Sequence, residues 1–221
     1  MATSEDAAHP TASTAATASP ASPAQDRGRV RLRRTALMAV PAVAAGAVLM
    51  ALTAQGVLAA QFDISGMPFV VTADSLDGVG FEQFGSLDHM IKDSPNAGDT
   101  GGQVLVAVSA IKEASLTKLC QSVELGGINL LIRAGDAGTP VTATDLTTDS
   151  DLLTGDAEFK NIEIGGDAST YTKAGVQGLP GVFGQQADTV KIRNLRQHNY
   201  ATTAGAFKLP NLRLSFSSEG C

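Results

Sequence analysis

The sequence predicts a mainly β protein: a single antiparallel sandwich or wrapped-sheet domain after an N-terminal membrane helix. Three observations predict it. Short runs of alternating or β-branched residues recur from residue 62 onward, clusters rich in glycine separate them, and convincing helical periodicity is scarce. Before them lies a basic flank followed by a long apolar run.

The strand signals come in order. Phe62–Ile64 and Phe69–Ala73 are short runs with aromatic or β-branched residues. Gln103–Ser109 is the strongest, and Leu116–Leu119 and Ile128–Ile132 follow. Phe159–Ile164, Thr189–Arg193 and Leu212–Phe216 interleave apolar with polar residues, as a half-buried strand requires. Turn clusters separate them at Ser94–Gly98, Asp99–Gly102, Gly135–Gly138, Gly165–Asp167 and Gly178–Gly181. Ala110–Leu119 has a competing helical reading, because Ile111, Ala114 and Leu119 roughly share a face. Three units of alanine, acid and apolar residue (Ala73–Leu76, Ala157–Phe159, Ala187–Val190) raise a β-solenoid as the alternative architecture.

Residues 2–26 are dominated by Ala, Thr, Ser and Pro, too polar to offset the entropy of ordering, so 1–34 reads as a disordered cytoplasmic tail. Its last residues carry Arg27, Arg29, Arg31, Arg33 and Arg34, which resist translocation and hold this side in the cytoplasm. Residues 35–60 contain no charge. As a helix they would reach roughly 39 Å, enough to cross a hydrocarbon core of about 30 Å. Two readings stay open: a cleaved signal, with Val57 and Ala59 framing the cut, or an uncleaved anchor. Either way, residues 61–221 are expected outside the cytoplasm, membrane-held or secreted.

Of the 16 basic and 22 acidic residues, five arginines and three acids precede residue 35, so the remainder is acidic by eight charges. An acidic domain without basic clusters excludes nucleic acid as the expected partner. Lys191, Arg193, Arg196 and Lys208 lack interleaved aromatic platforms and read as the polar face of strands. Cys120 and Cys221 are the only cysteines, and in an exported chain they read as one disulfide that pins the C-terminus. Two cysteines and three scattered histidines build no closed metal site, and no cofactor motif is present.

Catalytic chemistry has thin support. A serine nucleophile needs a strained elbow of the Gly-x-Ser-x-Gly kind, and no serine has it. Ala73-Asp-Ser75-Leu76 is similar to the Gly-Asp-Ser-Leu block of one esterase superfamily, with alanine for glycine. His198 is then the candidate base, with Leu195 where that superfamily places an aspartate. The ordinary reading of Ser75 is a turn residue, and His89 and His198 have no partner adjacent in sequence. Asp145, Asp149, Asp151 and Asp156 read as a solvated acidic loop whose spacing fails the EF-hand pattern at Leu153 and Thr154.

The chain resembles a family of uncharacterised exported actinobacterial proteins. The resemblance rests on Phe62–Gly66, Leu116–Val123, Gly184–Asp188, Ala201–Leu212 and the terminal Cys221, together with the basic flank and apolar run. Some members carry an automatic "cholesterol esterase" label, which the motifs above do not support. The resemblance implies an envelope or surface location. The expected function is a non-catalytic envelope protein presenting an acidic β-domain, in a structural or assembly role or as a binder of apolar ligands. The partners would then be the membrane through 35–60 and a lipid or envelope protein. The alternative is a lipid or sterol ester hydrolase.

Overall fold

The computed structural model describes residues 63–221. The tail 1–34 with Arg31, Arg33 and Arg34, the apolar run 35–60 with Val57 and Ala59, and Phe62 lie outside the described residues. Among the described residues no helix is long and apolar enough to cross a membrane.

Among the described residues nine strands build one antiparallel sheet: β1 (Phe69–His89), β2 (Gln103–Thr117), β3 (Leu119–Glu124), β4 (Asn129–Ala134), β5 (Val141–Lys160), β6 (Glu163–Asp167), β7 (Phe183–Thr203), β8 (Ala206–Lys208) and β9 (Arg213–Ser217). Their order is β6-β7-β5-β2-β1-β3-β4-β9, with β8 on β5. β7 also pairs with β1, so the sheet wraps back and the pairings β1–β2, β2–β5, β5–β7 and β7–β1 close a circuit. The wrapped sheet is therefore found. The two-sheet sandwich is not, and the solenoid fails because the named strands pair antiparallel throughout.

Strand length explains the wrapping. A straight 21-residue strand such as β1 would span roughly 70 Å, far beyond a radius of gyration of about 15 Å for a domain of this size. The strand must coil. Gly80 takes a left-handed φ of 67°, and the Lys173 carbonyl oxygen sits 2.3 Å from where a Cβ would be, so only glycine fits there.

The inner face carries the main core: Val71, Leu76, Phe81, Ile111, Leu116, Leu119, Val141, Leu146, Val190, Ile192 and Leu195, with alanines between them. A second cluster sits on the outer face, where Phe84, Val106 and Val108 are covered by Ala168 and Tyr171 of the connection from β6 to β7. Two carboxylates hold that connection. Glu82, 0% exposed, accepts from the Ala174 N–H (2.7 Å) and the Val176 N–H (3.1 Å). Asp167 accepts from the Gly181 N–H (2.8 Å) and the Ser169 N–H (3.0 Å), which holds its carboxyl below the usual range.

Two expectations are corrected. Ala110–Leu119 is not helical, because β2 lies between β1 and β5 and its backbone is committed to ladders on both edges. The expected acidic loop is part of β5, whose Thr and Asp residues face largely outward while Val141, Ala143, Leu146 and Thr148 turn inward.

Candidate functional site

Ser75 and His198 both lie on the paired strands β1 and β7, and the register keeps them apart. Ser75 opposes Arg193, whereas His198 opposes Val70. Five residues of strand separate them, roughly 16 Å, while a nucleophile and its base need about 3 Å. The Ser75 hydroxyl instead pairs with the Thr117 hydroxyl at 2.8 Å. The structure does not bring the two candidates together.

His198 does have a carboxylate partner, contributed by β5. Ser150 opposes Asn199 and Leu152 opposes His198, which leaves Asp151 as the extra residue of a β-bulge. A bulge re-aims its side chain, and Asp151 Oδ1 lies 2.6 Å from His198 Nδ1. Tyr200 stacks edge-on against the His198 ring at 5.8 Å. Burial first, and the negative Asp151 second, push the Tyr200 phenol up. Nothing in the linear sequence marks Asp151, 47 residues away, as the partner.

Asp88 of β1 and Asp149 of β5 bring their carboxyls close enough to perturb each other, and among the described residues Asp88 Oδ2 is buried without a hydrogen-bond partner. Burial and the neighbouring Asp88 charge push Asp149 up to about 7, and burial raises Asp88 as well. Two carboxyls this close hold one proton between them. Chemically the group can store and release a proton. The neighbouring Ser150 is buried, with its hydroxyl donating to the Ala107 carbonyl (3.5 Å). Among the described residues no cluster of three or more His, Cys, Asp or Glu side chains is arranged to hold a metal ion.

The disulfide has a visible task. Cys120 on β3 is bonded to Cys221, with Cα atoms 6.0 Å apart. The returning tail places the Cys221 N–H on the Ser122 hydroxyl (3.0 Å) and the Cys221 carbonyl under the Arg196 guanidinium (2.9 Å). Gly220 packs beside Ser122 and Asn129. The tail therefore covers the Cys120–Ser122 face of the β3–β4–β9 extension.

The other face of that extension stays open. Register places Gln121, Ile132 and Leu214 in one row and Val123, Leu130 and Phe216 in the next, all on one side. Leu214 and Phe216 are each 62% exposed, and Val123, Leu130 and Ile132 are half-buried. This face continues the inner surface of the wrapped sheet, because Val71, which opposes Gln121, belongs to the core. Inside the wrapped sheet, with Gln121 of β3 in its lining, there is a cavity of about 40 Å³. Its apolar wall includes Val71, Phe81 and Leu195; its polar wall is Ser109, Gln121, Thr148, Gln197, Asn199 and Thr202. The sequence reading found β9 by its alternation and missed that its apolar side is uncovered.

A family model described as a family of unknown function (DUF6230) matches residues 65–221, in line with the expected uncharacterised family. No curated protein and no solved structure matches the chain.

Proposed function

The chain belongs to this family of unknown function, and we propose that it is a non-catalytic cell-envelope protein whose domain outside the cytoplasm binds apolar ligands on the open face of β3, β4 and β9. The observation that carries the reading is that face. Leu214 and Phe216 lie side by side in an extension whose opposite side is covered at Cys120 and Ser122 by the disulfide-bonded tail. Clustered exposed apolar side chains cost solubility and mark interaction surfaces. The arginine flank and uncharged run of 35–60 support the location. The hydrolase alternative gains no support from Ser75 and His198, which stand too far apart to act together. A cavity of about 40 Å³ is also far smaller than the roughly 300 Å³ at which ligand pockets begin, so a bulky ligand would lie on the face and not inside the sheet.

The test is a titration of the full chain with the neutral dye Nile red, beside the double variant Leu214→Ser/Phe216→Ser. Both positions are exposed, so the variant folds. Binding at least tenfold weaker in the variant is expected. Equal binding refutes the face as the ligand surface. Ester turnover that disappears in Ser75→Ala overturns the non-catalytic part.

A further inference from the structure

A belt of three polar side chains marks where the inner core ends toward the His89 end of β1. The Gln185 amide donates to Gln83 Oε1 (2.6 Å), and the Gln83 amide donates to the Ser109 hydroxyl (2.8 Å). Beyond such a belt polar residues are expected, yet the next positions on that side are apolar. Register places Gly85 beside Ala107 and Leu87 beside Leu105. Phe84 opposes Gly184, so Phe183 falls next to Gly85. Leu87 is 51% exposed, Leu105 71% and Phe183 65%, and a Cβ on Gly85 would meet nothing within 4 Å. This floor is separate from the row of Leu214 and Phe216, which lies on β9 beyond β3 and β4.

Two features of the chain say what covers it. The first is where the described residues begin. The Ile64 N–H donates to the His89 carbonyl (2.9 Å), and Ile64 bridges Met90. His89 is two residues past Leu87, about 7 Å along the strand. Ile91, also exposed, follows Met90. The chain thus enters the domain beside the uncovered leucines. The second feature is what precedes that entry. The uncharged run of 35–60 ends four residues before Ile64, and four residues span at most about 14 Å. The headgroup layer alone is about 5–8 Å thick on each side of the hydrocarbon core. A run held in the bilayer would therefore keep this end of the sheet at the lipid surface. Charge does not supply the contact. Asp63, Asp93 and Asp99 outnumber Lys92 at the entry and in the β1–β2 connection, so anionic headgroups are not attracted. What this end offers a bilayer is apolar area.

We propose that the end of the sheet carrying Leu87, Leu105 and Phe183, with Ile91 beside it, docks on a lipid bilayer, its side chains entering the headgroup layer next to the point where residues 35–60 leave the membrane. The inference rests on reading 35–60 as a retained membrane segment. It goes beyond that reading, because it fixes which end of the domain meets the lipid and which side chains make the contact.

The chain contains no Trp, so a single introduced Trp reports its own surroundings. The full chain is reconstituted into phosphatidylcholine vesicles whose acyl chains carry bromine, a contact quencher. Leu105→Trp is the reporter, Phe183→Trp a second reporter of the same floor, and Val79→Trp the control. All three positions are exposed, and Val79 lies ten residues before His89 on β1. Leu105→Trp and Phe183→Trp are expected to lose about half of their emission relative to vesicles without bromine, as side chains at the headgroup–acyl boundary do. Val79→Trp is expected to keep its emission. Unquenched reporters in a chain that floats with the vesicles overturn the docking and leave the membrane segment standing. Quenching of Val79→Trp equal to that of the reporters overturns the choice of this end. Reporters that shift to the blue without being quenched are covered by a second copy of the chain, which overturns the lipid contact. A chain that does not float with the vesicles overturns the membrane segment and the docking together.

Discussion

Replacing Asp149 with asparagine removes one of the two carboxyls that β5 and β1 hold together. In the folded chain Asp149 keeps its proton up to about pH 7, against an ordinary value of 3.8. The unfolded chain releases it near the ordinary value. Between about pH 4 and pH 7 the native state therefore binds more protons, and stability falls as pH rises across that window. A shift of about three units corresponds to about 4 kcal/mol for a fully desolvated group; partial solvent contact screens this to about 1–2 kcal/mol. Asparagine keeps a neutral donor beside Asp88 and has no charge to repel it. Urea unfolding at pH 5 and pH 8 reads the effect. Wild type should lose about 1–2 kcal/mol more than Asp149→Asn over that interval, with the variant the more stable of the two at pH 8. The same loss in both proteins would refute the shared-proton account of Asp88 and Asp149.

Other expectations follow from single contacts. Glu82→Ala leaves the Ala174 and Val176 N–H groups unpaired under the β6–β7 connection, and should cost about 3 kcal/mol in denaturant unfolding, with amide exchange rising first across residues 171–178. Cys221→Ser removes a bridge across 101 residues of sequence. It should lower stability by about 2–4 kcal/mol, below the loop-entropy ceiling of about 4.7, and expose Ser122 and Leu131 to exchange. Gly80→Ala forces a Cβ onto the Lys173 carbonyl and should lower the melting temperature by the equivalent of about 1–3 kcal/mol, whereas alanine at Gly85, which meets nothing within 4 Å, should be nearly neutral.

Local pattern made part of this fold legible. β2, β7 and β9 alternate in sequence because one face of each meets the core or the row that continues it. The Cys120–Cys221 pair followed from counting cysteines. The long strands did not read through. β1 was visible only to Ala73, because Asp77, Gly78 and Gly80 look like turn residues, yet they continue a coiled strand that bends where glycine allows. β5 was hidden because its Asp and Thr residues suggest a solvated loop, and only its pairing with β2 and β7 makes it a strand. The polar groups of the site were harder still. Asp151 reaches His198 through a bulge, Asp88 reaches Asp149 across strands, and Asn199 is buried by the wrapping of the sheet. Each depends on register between distant segments, which no local window contains.

Native mass spectrometry of the purified full chain, with lipid extraction of the same sample, tests the central claim most directly. The account predicts an apolar ligand, carried through purification or added back, bound one to one by wild type and lost from Leu214→Ser/Phe216→Ser. Identical ligand occupancy in the two proteins would contradict it.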